Sequence, residues 1–171
     1  MSDDGSFEKF TVRPQLLESG KQSTRLVRNR DISCSVQVVA SGGETNLHAH
    51  SAADEIWYVL AGEATFYGEG DEVVAKLGRN EGLLIPHGAP YWFESSQPEN
   101  LVILRFGAKI ESAGPDKRID YGKRQYIIAH GVEGGEEAQV AEGKQPWPVK
   151  VLEGKFFGDA CSSPIAMGEA R

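Results

Sequence analysis

The chain lacks the features that would mark several common classes. No apolar run approaches the length needed to span a bilayer, and the opening stretch MSDDGSFEKF has neither the basic start nor the apolar core of a secretory signal. A soluble, cytoplasmic protein without a membrane partner is the expectation. Basic residues are outnumbered, 18 Lys and Arg against 25 Asp and Glu, for a formal charge of −7. A surface of that sign repels phosphate backbones and anionic lipid, and no helix-turn-helix pattern or basic stripe offsets it, so nucleic acid is not an expected partner. Cysteine is scarce: Cys34 and Cys161 stand far apart, without metal-binding spacing, and read as free thiols in a reducing compartment. Cys34 lies in an apolar strand pattern and reads as a small core residue. Convincing helical periodicity and internal repeats are also missing, which leaves an all-β domain in a single copy.

What is present is a series of short strands separated by turns. Ile32 to Ala40 is rich in β-branched residues and stops at Ser41-Gly42-Gly43; Glu55 to Leu60 alternates; Ala64 to Tyr67 and Glu72 to Leu77 flank the turn Gly68-Glu69-Gly70-Asp71 as a hairpin. Leu83 to Ile85 ends at Pro86, a glycine-proline loop leads to Tyr91-Trp92-Phe93, and Leu101 to Phe106 closes the series. Such spacing predicts an antiparallel barrel or double-sheet jelly roll. The expected division is an arm over residues 1–23 with one short strand, a barrel over 24–107, and an extension over 108–171. In that extension Gln125 to Ala129 and Val149 to Phe157 read as strands and 131–148 as acidic loop, with the last residues disordered. Trp57, Trp92, Phe66 and Phe93 read as core, with Trp57 and Phe93 sharing strand parity with Glu55 and Tyr91.

The chemistry concentrates between Gly42 and Gly62, in GGETNLHAHSAADEIWYVLAG. Side chains at i and i+2 of a strand point the same way, so His48 and His50 project together. Ser51-Ala52-Ala53-Asp54 reads as a turn, and if the next strand folds back antiparallel, Glu55 faces both histidines. Two imidazoles and a carboxylate suit a first-row divalent ion, one per chain, with Fe(II) ranked first and Mn, Ni, Zn or Co as alternatives.

This stretch resembles the first motif of the cupin superfamily, G-x5-H-x-H-x4-E-x6-G, and every specified position matches: Gly42, His48, His50, Glu55 and Gly62. The second motif is met by Pro86-His87-Gly88-Ala89-Pro90-Tyr91, with Tyr91 where the family has histidine and Ser95 where it has asparagine. The resemblance covers about residues 32 to 107 and implies a small antiparallel barrel with a metal inside. It leaves three roles open for Tyr91: a fourth ligand beside His48, His50 and Glu55, an acid or base, or a filler of the histidine's space. His87 reads as a surface loop residue, His130 has no recognisable constellation, and Arg25, Arg28 and Arg30 read as a solvated strand and turn with no assigned role.

Two histidines and one carboxylate leave coordination positions open, the pattern of non-haem iron dioxygenases acting on a small chelating substrate. That class ranks first, with Glu55 and Tyr91 as the candidate catalytic residues. A Lewis-acid lyase or isomerase using Tyr91 as acid or base, and a cupin that binds a small ligand or metal without turnover, are the alternatives. The edge strands of a small barrel, together with apolar pieces in both extensions, lead us to expect a homodimer.

Overall fold

The structure is a computed structural model that describes residues 7–96, 98–121 and 149–159. Twelve strands make up almost all of its regular structure. They are β1 (Gln15–Ser19), β2 (Lys21–Arg28), β3 (Ile32–Val39), β4 (His48–His50), β5 (Ala53–Ala61), β6 (Ala64–Tyr67), β7 (Val73–Leu77), β8 (Gly82–Ile85), β9 (Trp92–Ser95), β10 (Leu101–Lys109), β11 (Arg118–Asp120) and β12 (Lys150–Phe156). Single 3-10 turns at Glu69–Asp71 and Glu111–Ala113 are the only helical pieces among these residues. The strand expected at Gln125 to Ala129, the acidic loop over 131–148 and the histidine at 130 fall outside the described residues, as do Cys161 and the tail after it.

Two sheets face each other. One has the order β2-β3-β10-β5-β8, antiparallel throughout; the other contains β7-β6-β9. A reciprocal pair of backbone bonds, His48 N–H to Tyr91 O at 3.0 Å and Tyr91 N–H to His48 O at 2.8 Å, carries this second sheet on into β4 and its partner β11. The result is the jelly-roll arrangement expected from the strand spacing. Between the sheets sit Trp57, Phe66 and Phe93, each at most 2% exposed, with Val39, Val59, Leu101 and Ile103 around them. Burying side chains of this size contributes about 2–3 kcal/mol apiece. Trp57 stacks obliquely on Phe93 at 4.9 Å between ring centroids, and Phe93 on Phe66 at the same distance. Trp92, also buried at 4% exposed, has the opposite parity and stacks on Tyr67, 4.1 Å away, outside this cluster.

The N-terminal arm contributes more than one short strand. β1 pairs with β12 as a ribbon over the outer face of the five-stranded sheet, where Leu17 packs with Val36, Val38 and Val102. β2 runs through the expected boundary at 23/24 and forms the sheet's edge. Its polar sequence, KQSTRLVR, lacks the apolar alternation of a two-sided strand, which is why it escapes a reading by periodicity.

Candidate functional site

Strand parity places the site. On β10, Leu101, Ile103 and Arg105 share the inward face; on β5, Glu55, Trp57 and Val59 do; and β4 brings His48 and His50 from the other sheet. His48 and His50 do converge with Glu55, but not as neighbouring strands of one hairpin. Only Ser51 and Ala52 separate β4 from β5, and the chain turns there from one sheet into the other, so the carboxylate meets the imidazoles across the barrel interior. Asp116 secures that corner: one carboxylate oxygen accepts from Ala52 N–H at 3.0 Å, the other bonds His50 Nδ1 at 3.0 Å.

The four residues singled out in the sequence lie together with two that were not. Glu55 is 1% exposed. Its Oε2 accepts the Tyr91 hydroxyl at 2.5 Å and Trp57 Nε1–H at 3.2 Å; its Oε1 accepts Arg105 Nε–H at 2.7 Å and a second, shorter bond from Arg105 Nη2. Arg105 Nη2 is also 3.4 Å from His50 Nε2, and His50 Nε2 is 3.4 Å from Glu55 Oε1. His48 bonds the Asn46 carbonyl through Nδ1 at 2.8 Å, and its ring lies 4.6 Å from that of Tyr91.

Burial sets the protonation of this cluster. It pushes His48 down to about 3, with the Arg118 charge acting in the same direction, so His48 is a neutral imidazole at neutral pH. Burial and the adjacent Glu55 carboxylate hold Tyr91 well above the usual phenol range, and it remains a phenol that donates. For Arg105, burial works against the charge, but the hydrogen bond and ion pair with Glu55 prevail and raise it further. Asp116 also resists its partial burial: the bonds from Ala52 N–H and His50 hold it below the usual carboxylate range.

The fit of a divalent ion can be judged donor by donor. Both imidazoles are held through Nδ1 by an acceptor, as ligand histidines commonly are, which leaves Nε2 to coordinate. Glu55 does not offer the third donor, since each of its oxygens already accepts two hydrogen bonds. The guanidinium of Arg105 fills the gap between His50 Nε2 and Glu55 Oε1, where an ion shared by those two residues would sit. Among the described residues no three His, Cys, Asp or Glu side chains are grouped to hold a metal ion. In this arrangement the residues do not fit one.

Cupin architecture already follows from the two sheets and the motif between them, and the comparisons agree. Residues 35–106 match the family model described as a cupin domain. The chain carries a cupin domain. Among solved structures, a conserved protein with a double-stranded β-helix domain from Klebsiella pneumoniae is 21% identical, over 64% of this chain and 90% of its own, with a TM-score of 0.52. KdgF from a Halomonas species is 24% identical over 54% of this chain and 83% of its own, TM-score 0.47. The DMSP lyase DddQ from Ruegeria pomeroyi is 19% identical over 60% of this chain and 52% of its own, TM-score 0.49. At 21% identity the likeness to the Klebsiella protein concerns the fold alone. No protein of curated function matches the chain.

This cupin opens into a cavity of about 560 Å³ on the side of β2, β3 and β10, with His50, Arg105 and Asp116 in its wall. Tyr91, 4% exposed, lies behind that wall and reaches it through Glu55. His87 is on the surface, as expected, bonded to Asp54 at 2.7 Å through Nδ1. Arg105 and Asp116 join the cluster without having been singled out in the sequence. Arg105 carried a usable signal, a lone charge at inward parity after Leu101 and Ile103. Asp116 carried none, because it is brought in by the pairing of β11 with β4.

Proposed function

We propose that this cupin is a proton-transfer enzyme, an isomerase or lyase acting on a small molecule in the 560 Å³ cavity, with His50 as the base. The observation that carries this reading is the His50–Asp116 pair at 3.0 Å, in the wall of the same cavity as the Arg105 guanidinium. Asp116 accepts from Nδ1–H, which fixes the tautomer with its lone pair on Nε2 and stabilises the imidazolium formed when that nitrogen takes a proton. A C–H beside a carbonyl is the group such a base abstracts. The negative charge that develops on the carbonyl oxygen is met by the Arg105 N–H groups, positioned in advance by Glu55. Return of the proton to carbon completes an isomerisation, and expulsion of a β-leaving group completes an elimination. Tyr91 and Glu55 act here as positioning residues that hold Arg105, rather than as the acid or base.

The iron dioxygenase ranked first from the sequence requires an open oxygen on Glu55 and a metal in the space that Arg105 holds. The arrangement favours proton transfer over it. The test is exchange of substrate hydrogen with solvent. A panel of 2-oxo and 3-oxo acids, each incubated with the protein in D₂O, is read by proton NMR. The wild type should catalyse deuterium uptake at the acidic carbon of at least one member, and His50→Gln should lower the rate by about 10²- to 10⁴-fold. Uptake that survives in His50→Gln, or substrate-dependent oxygen consumption without any exchange, contradicts the reading.

A further inference from the structure

The cavity gathers Arg25, Arg28, Arg30, Arg105 and Lys109 against Asp31 and Asp116, an excess of positive charge in a chain that is acidic overall. Across the inward face, Arg25 on β2 pairs with Ser35 on β3, and Ser35 with Arg105 on β10, so one row reads Arg25–Ser35–Arg105. The next row reads Arg28–Ser33–Gly107, and Gly107 leaves that end without a side chain. Strict alternation along β2 would send Arg25 and Arg28 to opposite faces. A bulge between Arg25 and Val27 shifts the register by one residue, and the shift turns Val27 outward and places both arginines on the cavity. Lys109 adds a third charge to the same wall. Arg30 is already paired with Asp31 and Glu111, and Arg105 with Glu55, but Arg25, Arg28 and Lys109 have no ion pair among the described residues. Against a formal charge of −7 for the chain, three unpaired cations gathered in one concavity focus a positive potential there.

From this we infer that the substrate is a small organic acid whose carboxylate or phosphate is bound by the Arg25–Ser35–Arg105 row, with Arg28 and Lys109 adding charge. The sequence offered the same arginines only as a solvated strand and turn; the bulge is what makes them a site. The arrangement suits an oxyanion, since Arg25 can donate paired N–H groups from one side, Arg105 the Nη1 N–H groups that Glu55 does not take from the other, and the central serine its hydroxyl. Arg105 belongs to both this row and the His50 cluster, 3.4 Å from Nε2, so an anion held there brings the adjoining carbon up to the base. The inference deepens the proton-transfer reading of the cavity and rests on it for the reactive end of the substrate only.

Calorimetric titration of the full chain with inorganic phosphate and, separately, with malonate, at ionic strength held constant with chloride, gives the test. The wild type should bind at least one probe saturably with one site per chain. Preference for phosphate indicates a phosphorylated substrate, and preference for malonate a carboxylic one. The double variant Arg25→Gln/Arg28→Gln, whose exposed side chains can change without disturbing the core, should bind at least tenfold more weakly, while Arg79→Gln, in the turn between β7 and β8, should match the wild type. Absence of saturable binding for both probes, or equal affinity in the double variant, overturns the inference. His50→Gln separates the two proposals: it should keep probe binding while losing exchange. Exchange without probe binding removes the anion site alone, and probe binding without exchange removes the proton-transfer reading alone.

Discussion

At the scale of single residues, the Glu55–Arg105 pair dominates the interior of this cupin. A carboxylate that is 1% exposed costs several kcal/mol to desolvate and is tolerated here because Arg105, Tyr91 and Trp57 supply four donors. Removing the cation alone should therefore do more harm than removing both charges. Arg105→Ala is expected to lower unfolding free energy by about 3–5 kcal/mol, and Glu55→Gln/Arg105→Gln by clearly less than the sum of its single changes. Urea unfolding of the cycle measures this, and strict additivity would contradict it. Tyr91→Phe keeps the ring and deletes one donor to Glu55, for an expected loss of about 1–3 kcal/mol. A loss near zero would make Tyr91 a filler of space. His48 gives a pH dependence. Its folded value, about 3, lies below the ordinary 6.5, so between those limits the unfolded chain binds the extra proton and stability falls as pH falls, by at most about 1.4 kcal/mol per unit. Above pH 7 this contribution is constant. Comparison of urea midpoints at pH 7 and pH 5 should show a smaller acid loss in His48→Gln than in the wild type, and equal losses would contradict the neutral assignment.

Among the elements, the close of the first motif has a direct structural reason. Gly62 has φ +75°, and a Cβ there would lie 2.7 Å from the Asn100 carbonyl oxygen, where β5 turns past the start of β10. Gly62→Ala is expected to cost about 1–3 kcal/mol, measured as a lower urea midpoint at unchanged m-value, and a neutral substitution would contradict the close approach. The hairpin of β6 and β7 and the inward parity of β5 were legible in the sequence because each is a local pattern: alternation, a glycine-acidic turn, then alternation. The partner of β4 was not. A two-residue link serves a tight hairpin and a step between sheets equally well, and what selects the step is distant, the pairing of β4 with Tyr91 on one side and β11 on the other. Asp116 stayed hidden for the same reason, whereas the inward parity of Arg105 was legible and only its partners on β4 and β5 were not. Each acquires its role from a strand far away in the chain, and the bulge that turns Arg28 inward shows only in the register of β2 against β3.

For the whole molecule, the outer face of the five-stranded sheet is half covered. The β1–β12 ribbon packs over Val36, Val38 and Val102, while a row across the other half, Val27, Cys34, Phe106, Ile56 and Leu84, is only partly covered: Cys34 is buried and Phe10 lines the same hollow, but Phe106, Ile56 and Leu84 are exposed. Leu84 is 63% exposed and Ile56 48%. An uncharged row of this kind suits an isologous contact between two copies, which would also shield the sheet. Sedimentation at micromolar concentration should give twice the 18.6 kDa chain mass, and Leu84→Lys should return it to the single-chain mass. A wild type that sediments as a single chain contradicts this.

Arg105 holds the place beside Glu55 that a metal would otherwise take, and the chemistry of the cavity follows from that. Purified protein incubated in turn with Fe(II), Mn(II), Zn(II) and Ni(II), freed of unbound ion by desalting, is to be analysed for elemental content. With the guanidinium in place, the wild type should retain far less than one ion per chain. One ion per chain in the wild type, abolished by His50→Ala, would contradict it and return the site to His48, His50, Glu55 and Tyr91 as ligands.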